Sequence, residues 1–128
     1  CCGIGTVLVE ALSMGIQIEG RDINPFVCVG SRKNIAHFGF DGTVTLGAIA
    51  EVTEHYDVVI LDMPYNVFTH ISEENQQEII KEARRIADKA VIVTMETMDE
   101  MIEQAGFQMV DRCIVKKGSF SRQVLVCV

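Results

Sequence analysis

The sequence predicts an α/β fold in which a doubly wound, mostly parallel sheet ends in an antiparallel hairpin. Short apolar runs alternate along the chain with segments of helical periodicity, the pattern of a parallel sheet covered by helices. The clearest run, residues 58–61, is unbroken and rich in β-branched side chains, which is typical of a parallel strand buried on both faces. Two strand-like segments, 107–116 and 120–128, flank a Lys-Gly-Ser turn and predict the closing hairpin.

The remaining elements follow from apolar spacing and end signals. Asn24 is the expected N-cap of a helix with Pro25 at its first position, and Ser72 is the expected N-cap of another. The predicted helices are 6–14, 25–38, one that follows Ser72, and 97–105, with a short helical link at 47–51. The predicted strands ahead of the hairpin are 16–22, 43–46, 58–61 and 90–94.

Composition limits the class of protein. At 128 residues we expect one domain at most, and the sequence shows neither a membrane-span pattern nor a signal-peptide pattern. Five cysteines without a Cys-x-x-Cys pair favour reduced thiols in a cytoplasmic protein over a zinc site or a disulfide framework. The net charge of −7 argues against a nucleic-acid footprint on this piece by itself.

The chain opens directly on a Gly-rich turn. Residues 1–6 read CCGIGT and run into the first predicted helix without a strand in front of them. A turn of this kind normally follows a strand, so we expect a fragment whose first strand is missing.

The turn and a downstream acid predict a cofactor that contains a ribose. Gly3 and Gly5 allow backbone to approach a ligand closely, and Asp22 ends the second predicted strand, where a carboxylate can accept from ribose hydroxyls. The dinucleotide fingerprint requires a third glycine, and Leu8 stands at that position. The pattern therefore suits a cofactor without a pyrophosphate.

A second candidate site lies at the end of the central strand, where residues 62–66 read DMPYN. Ligands of open α/β sheets bind beyond the carboxyl ends of the strands, so Asp62 is expected to face a site. Pro64 lacks an N–H and favours an extended Met63, whose carbonyl is then available as an acceptor. A carboxylate, a carbonyl and the aromatic face of Tyr65 together suit a planar group that carries an amino function.

Three ordered motifs resemble those of S-adenosylmethionine-dependent amino methyltransferases. They are residues 2–6 (CGIGT), 20–25 (GRDINP) and 62–66 (DMPYN). The likeness is greatest to the THUMP-associated (UPF0020-like) RNA guanosine-N2 methyltransferases, and the hairpin segment KGSFSR is similar to the ending of that group. The resemblance implies a Rossmann-like methyltransferase fold over residues 1–128, truncated at the N-terminus, with the THUMP-like RNA-binding half absent.

The resemblance also implies a role for each candidate residue. The implied catalytic residues are Asp62, Met63, Pro64 and Tyr65, which hold the amine and stack on the base. The implied cofactor-binding residues are Cys2, Gly3, Gly5, Thr6, Asp22, Ile23 and Ala48. The implied substrate-binding residues are Asn66, Lys117 and Arg122. The cofactor is S-adenosyl-L-methionine, no metal is expected, and the partner is tRNA or rRNA bound through the intact protein.

The sequence departs from the family at one catalytic position and leaves other functions open. Met63 replaces the first proline of an Asp-Pro-Pro-Tyr pattern, and Met63→Pro is expected to be tolerated because Pro64 already holds residue 63 extended. A DNA or protein amino methyltransferase would use the same acid-x-Pro-Tyr loop. A non-catalytic module with a nucleotide-binding fold is the other alternative.

Overall fold

A computed structural model describes residues 1–64 and 71–128, which form two compact units, Cys1–Glu51 and Val52–Val128. Each unit contains its own sheet. The first unit contains α1 (Thr6–Ser13), β1 (Glu19–Asp22), α2 (Pro25–His37), β2 (Thr43–Leu46) and a short 3-10 helix (Ile49–Glu51). The second contains β3 (Tyr56–Asp62), α3 (Glu73–Ile86), β4 (Ala87–Thr94), α4 (Asp99–Gln104), β5 (Met109–Lys117) and β6 (Phe120–Cys127).

The first unit is a parallel two-stranded sheet packed with two helices. β1 and β2 pair in register from Glu19 opposite Thr43 to Asp22 opposite Leu46. Its core is formed by residues from both helices and from β2, namely Leu8, Cys28, Ile35 and Val44. The acid that ends β1 is thus held at the same edge as the end of β2.

The cap signals of α2 are confirmed. The Asn24 side chain accepts a hydrogen bond of 2.9 Å from the Phe26 N–H, and Pro25 occupies the first helical position. β1 is shorter than predicted because the residues after α1 complete the end of that helix. Gly15 has a positive φ of 76°, and the Ile16 N–H donates to the Ala11 carbonyl at 3.0 Å. The strand therefore begins at Glu19 instead of Ile16.

The second unit is a mixed sheet with strand order β3-β4-β6-β5. β3 runs parallel to β4, and β6 pairs antiparallel with both β4 and β5. α3 begins with the expected cap, since the Ser72 hydroxyl accepts from the Asn75 N–H at 3.2 Å. The predicted α/β class and the C-terminal hairpin are confirmed, and the described strands lie in two sheets.

The expectation that residues 58–61 are buried on both faces is wrong for this structure. Val58 is 45% exposed and Ile60 is 42% exposed, whereas Leu61 on the other face is buried. Among the described residues β3 pairs with β4 alone, so it forms an edge of its sheet. An apolar run reports a preference for burial, and the neighbouring elements decide which face is covered.

The described residues contain no helix that is long and apolar enough to cross a membrane.

Candidate functional site

The Gly-rich turn lies beside β1 in the first unit. The Cys2 N–H donates to the Arg21 carbonyl at 3.0 Å, which holds the start of the turn against β1. The Gly5 N–H then donates to the Cys2 carbonyl at 3.1 Å and closes the turn. Gly5 is the N-cap of α1, so the turn passes directly into the helix.

The two glycines of the turn have different surroundings. Both have positive φ, 54° at Gly3 and 87° at Gly5, a conformation that glycine adopts without steric cost. A Cβ added at Gly3 would meet nothing within 4 Å, whereas one added at Gly5 would clash with the Ser31 hydroxyl of α2. Gly3 thus leaves open space over the turn, and Gly5 allows α1 and α2 to approach each other.

Asp22 organises this site through both carboxylate oxygens. Its Oδ2 accepts from the Gly3 N–H at 3.0 Å, and its Oδ1 accepts from the Asn24 N–H at 3.0 Å. Burial acts to raise the pKa of Asp22, but the hydrogen bonds from the Asn24 and Gly3 N–H groups outweigh it and lower that pKa below its usual value. The carboxylate therefore stays ionised at neutral pH and fixes the turn against the end of β1.

Arg21 is a residue of this site that sequence reasoning missed. Its Nε donates to the Ala48 carbonyl at 2.9 Å, and its Nη2 contacts the Glu51 carboxylate at 3.0 Å. The Asp22 carbonyl accepts from the Gly47 N–H at 2.9 Å, so the end of β1 holds the segment after β2 at two points. The parallel register places these segments together, but no local pattern in the sequence reports a pair 30 residues apart.

The other cofactor candidates of the first unit lie around the turn. Thr6 is exposed at the start of α1, and Ile23 is 74% exposed directly after Asp22. Cys2 is partly buried, and that burial raises the pKa of its thiol above the usual value, although the neighbouring Ser31 hydroxyl acts in the opposite direction. The Cys2 thiol is therefore protonated at neutral pH and is a poor nucleophile.

The acid-x-Pro motif ends β3 in the second unit. Asp62 is the last residue of the strand and is partly buried, and Pro64 is partly buried two residues later. Between them Met63 is 1% exposed, and its N–H donates to the Val93 carbonyl of β4 at 2.9 Å. This anchor fixes the backbone directly after the acid. Tyr65 and Asn66, the remaining candidates of the motif, lie outside the described residues.

The anchor at Met63 argues against the expectation that Met63→Pro is tolerated. Proline has no N–H, so the substitution would remove the hydrogen bond that the Val93 carbonyl accepts next to the buried Met63 side chain. The extended backbone that Pro64 favours is compatible with proline at residue 63, but backbone conformation alone does not decide the outcome.

Lys117 and Arg122 lie on the β5–β6 hairpin of the second unit. Lys117 is directly opposite Phe120 and Arg122 is directly opposite Val115, so the four side chains share one face of the hairpin. Together they line a shallow pocket with a volume of about 270 Å³. Across the part of the chain that the structure describes, no group of three His, Cys, Asp or Glu side chains is placed to hold a metal.

Comparison with known families and proteins gives a consistent result. Residues 1–123 match the model of the UPF0020 family, described as RMKL-like, methyltransferase domain. A curated relative is the tRNA (guanine(10)-N2)-dimethyltransferase of Methanothermobacter thermautotrophicus, 29% identical over 84 residues. That match covers 63% of this chain and 25% of the relative, so the chain spans about a quarter of the relative's length.

Solved structures share the fold at low sequence identity. The magnesium protoporphyrin IX methyltransferase from Synechocystis PCC 6803 with bound SAM gives a TM-score of 0.82 at 16% identity, covering 98% of this chain and 65% of that one. A putative RNA methyltransferase from Pyrococcus horikoshii gives a TM-score of 0.82 at 15% identity, covering 98% and 70%. Both likenesses concern the Rossmann-like methyltransferase fold.

Proposed function

Because the chain belongs to the RMKL-like methyltransferase domain family, we propose that the protein containing it methylates the exocyclic amino group of a guanosine in RNA, with S-adenosyl-L-methionine as cofactor. The observation that carries the proposal is the family match itself, which runs through both strand-end acids, Asp22 and Asp62. The activity of the curated relative, which dimethylates a tRNA guanine at N2, supports guanosine as the base and tRNA over rRNA.

The first unit fits the proposed cofactor. S-adenosylmethionine supplies an electrophilic methyl group on a sulfonium. Gly3 leaves room for the methionine part, since a side chain there would occupy otherwise open space. Each carboxylate oxygen can accept two hydrogen bonds, and the Gly3 and Asn24 N–H groups donate one to each oxygen of Asp22. Asp22 therefore retains acceptor capacity for ribose hydroxyls, while exposed Ile23 and the segment at Ala48 flank the adenine.

The second unit carries the proposed chemistry toward the substrate. Transfer of a methyl group to an amine is a direct displacement. The main requirement is therefore that the nitrogen lone pair point at the methyl group of the cofactor. Asp62 and the Met63 carbonyl accept from the amino N–H groups, and Asp62 takes up the proton lost from nitrogen. The hydrogen bond from Met63 to Val93 keeps these acceptors in place. Tyr65 stacks on the base, and Asn66, Lys117 and Arg122 contact the RNA.

The remaining parts of the proposal concern the whole protein. We propose that it works in the cytoplasm, where its five cysteines, all free thiols in the structure, stay reduced. The RNA is recognised by the intact protein, since the acidic chain described here offers few phosphate contacts.

The test has two arms on the full-length protein. Calorimetry with S-adenosylhomocysteine and with NAD measures cofactor choice, and we expect binding of the former alone. Transfer of labelled methyl groups is then measured on tRNA, rRNA, DNA and protein, and nucleoside mass spectrometry of the RNA is expected to yield N2-methylguanosine.

Each arm can contradict a different part of the proposal. NAD binding without S-adenosylhomocysteine binding would refute the cofactor. Labelling of DNA or protein alone would replace RNA by the alternative substrates. Cofactor binding without transfer to any substrate would leave a non-catalytic module, and Asp62→Ala is the matched negative control for every transfer assay.

A further inference from the structure

We propose that one face of the β5–β6 hairpin binds an unpaired segment of RNA, with Phe120 stacked on a base and Lys117 and Arg122 on the flanking phosphates. We call the four side chains Val115, Lys117, Phe120 and Arg122 the hairpin face. The inference rests on the proposed RNA substrate and adds to it a binding platform and the strandedness of the bound segment.

The strand register places these side chains on one face. Lys117 pairs with Phe120 and Val115 pairs with Arg122, and directly opposed residues of antiparallel strands project to the same side. The adjacent Lys116 pairs with Ser121 and projects to the opposite side, because successive residues of a strand alternate. The two lysines therefore differ in what they can contact.

The hairpin face presents apolar surface next to charge. Phe120 is 55% exposed and Val115 is exposed beside it. The four side chains line a pocket with a volume of about 270 Å³. An exposed aromatic ring between two cations is the arrangement on which single-stranded nucleic acids bind, with bases on rings and phosphates on basic side chains. A duplex keeps its bases stacked inside and would leave the ring of Phe120 unused.

The distribution of charge favours an anionic occupant. Residues 109–127, which contain β5, the turn and β6, hold four of the eleven basic residues and one of the eighteen acidic residues. The rest of the chain is strongly acidic. A polyanion is therefore attracted to the hairpin and repelled by the remainder, and its phosphates would complement Lys117 and Arg122. A protein partner of similar shape would need acidic side chains at the same places.

The test measures the binding of a fluorescein-labelled single-stranded RNA 12-mer of mixed sequence to the full-length protein at low salt, by fluorescence anisotropy. Phe120→Ala is expected to weaken binding by at least about fivefold, the lower end of the measured effect of one base–aromatic stack. Phe120→Trp should keep the wild-type affinity, whereas Phe120→Leu should lose affinity like Phe120→Ala, because stacking requires a ring.

The matched pair Lys117→Ala and Lys116→Ala tests the assignment of faces. Lys117→Ala should reduce the slope of log affinity against log salt by about 0.7, the value for one phosphate contact to a single strand. Lys116→Ala should leave that slope unchanged, although both variants remove one positive charge.

Three outcomes would overturn the proposal. Equal changes in the salt dependence of RNA affinity for Lys116→Ala and Lys117→Ala would show only non-specific electrostatic attraction to the hairpin. Full affinity in Phe120→Ala would remove the stack, and equal affinity for a duplex of the same sequence would remove the preference for unpaired RNA. S-adenosylhomocysteine binding, measured in parallel on each variant, reports on folding and on the proposed enzymatic function independently of RNA binding.

Discussion

The ends of β1 and β3 share the same sequence of an aspartate followed closely by a proline, but the aspartates have different surroundings. Each strand ends in an aspartate and is followed within three residues by a proline, Asp22 before Pro25 and Asp62 before Pro64. The residue after the first acid, Ile23, is exposed, whereas the residue after the second, Met63, is buried.

This difference shows which neighbour holds each acid. At β1 the carboxylate itself accepts from the Gly3 and Asn24 backbone, so the acid organises the polypeptide and the next side chain is left at the surface. At β3 the hydrogen bond from the Met63 N–H to the Val93 carbonyl fixes the backbone directly after Asp62. Asp22 therefore acts partly as a structural residue, and the backbone beside Asp62 is anchored by Met63.

The largest effect is expected at Asp62. If the backbone holds the strand end, Asp62→Ala should lower the rate of methyl transfer by about 10²–10⁴-fold, the usual contribution of a positioned acid or base. The variant should still fold. Turnover and S-adenosylhomocysteine affinity are measured together, and Asp57→Ala, at an exposed acid of the same strand, is the control. A full-rate Asp62→Ala enzyme would refute the proposed mechanism.

The second prediction concerns the anchor. Met63→Pro should lower the free energy of unfolding by at least about 2 kcal/mol, because the Val93 carbonyl loses its donor and the buried Met63 side chain is replaced by a smaller one. Chemical denaturation measures the change. Met63→Leu keeps the N–H and the volume and should cost less than about 1.5 kcal/mol. Equal stability of Met63→Pro and wild type would show that the hydrogen bond to Val93 does not hold the strand end.

A smaller effect is expected at Asp22, on both binding and stability. Asp22→Ala should weaken S-adenosylhomocysteine binding by about 1.5–3 kcal/mol, the range for a hydrogen bond to a charged group. Because the pKa of Asp22 is lowered in the folded state, its contribution to stability is complete above the unfolded value of about 3.9 and is lost as pH falls through the folded value.

The stability difference between wild type and Asp22→Ala should therefore be constant from neutral pH to about pH 5 and shrink below about pH 4. Denaturation at a series of pH values measures it, with Asp41→Ala, an exposed acid of the same unit, as control. A difference that persists unchanged at pH 2 would mean that the ionised carboxylate does not hold the turn.

The smallest effect on stability is expected at Ile23. Since its side chain is exposed, Ile23→Ala should change the free energy of unfolding by less than about 0.5 kcal/mol. It should still reduce S-adenosylhomocysteine affinity, because apolar surface that would cover the adenine is lost. Thermal denaturation and calorimetry on the same sample separate the two effects. Loss of stability without loss of affinity would mean that Ile23, like the buried Met63, supports the fold and does not contact the cofactor.

The sequence predicted those features that are encoded within a few residues. Asn24 and Ser72 cap their helices, the turn at Gly118 joins two antiparallel strands, and Asp22 and Asp62 end their strands. Each of these depends on local backbone chemistry, so the pattern and the structure coincide. The candidate roles in binding and catalysis remain predictions.

Other features required contacts between residues far apart in sequence. The separate roles of Gly3 and Gly5 depend on Ser31 of α2, and the role of Arg21 depends on Ala48 and Glu51. The exposure of Val58 depends on which elements pack on that face of β3. A pattern of residue types does not report such neighbours, because the same pattern fits several packing arrangements.

The position of β6 has a consequence for synthesis on the ribosome. β6 follows β5 in the chain yet lies between β4 and β5, so two of the three strand pairings of this sheet form only after residue 127 has left the exit tunnel. Until then the edge of β4 that pairs with β6 has unpaired backbone N–H and C=O groups, and β5 lacks the one partner strand that the described residues give it. The β5–β6 hairpin can close within microseconds of its release because its contacts are local. Premature termination before β6 would therefore leave a nascent chain with an open strand edge, a template for aggregation.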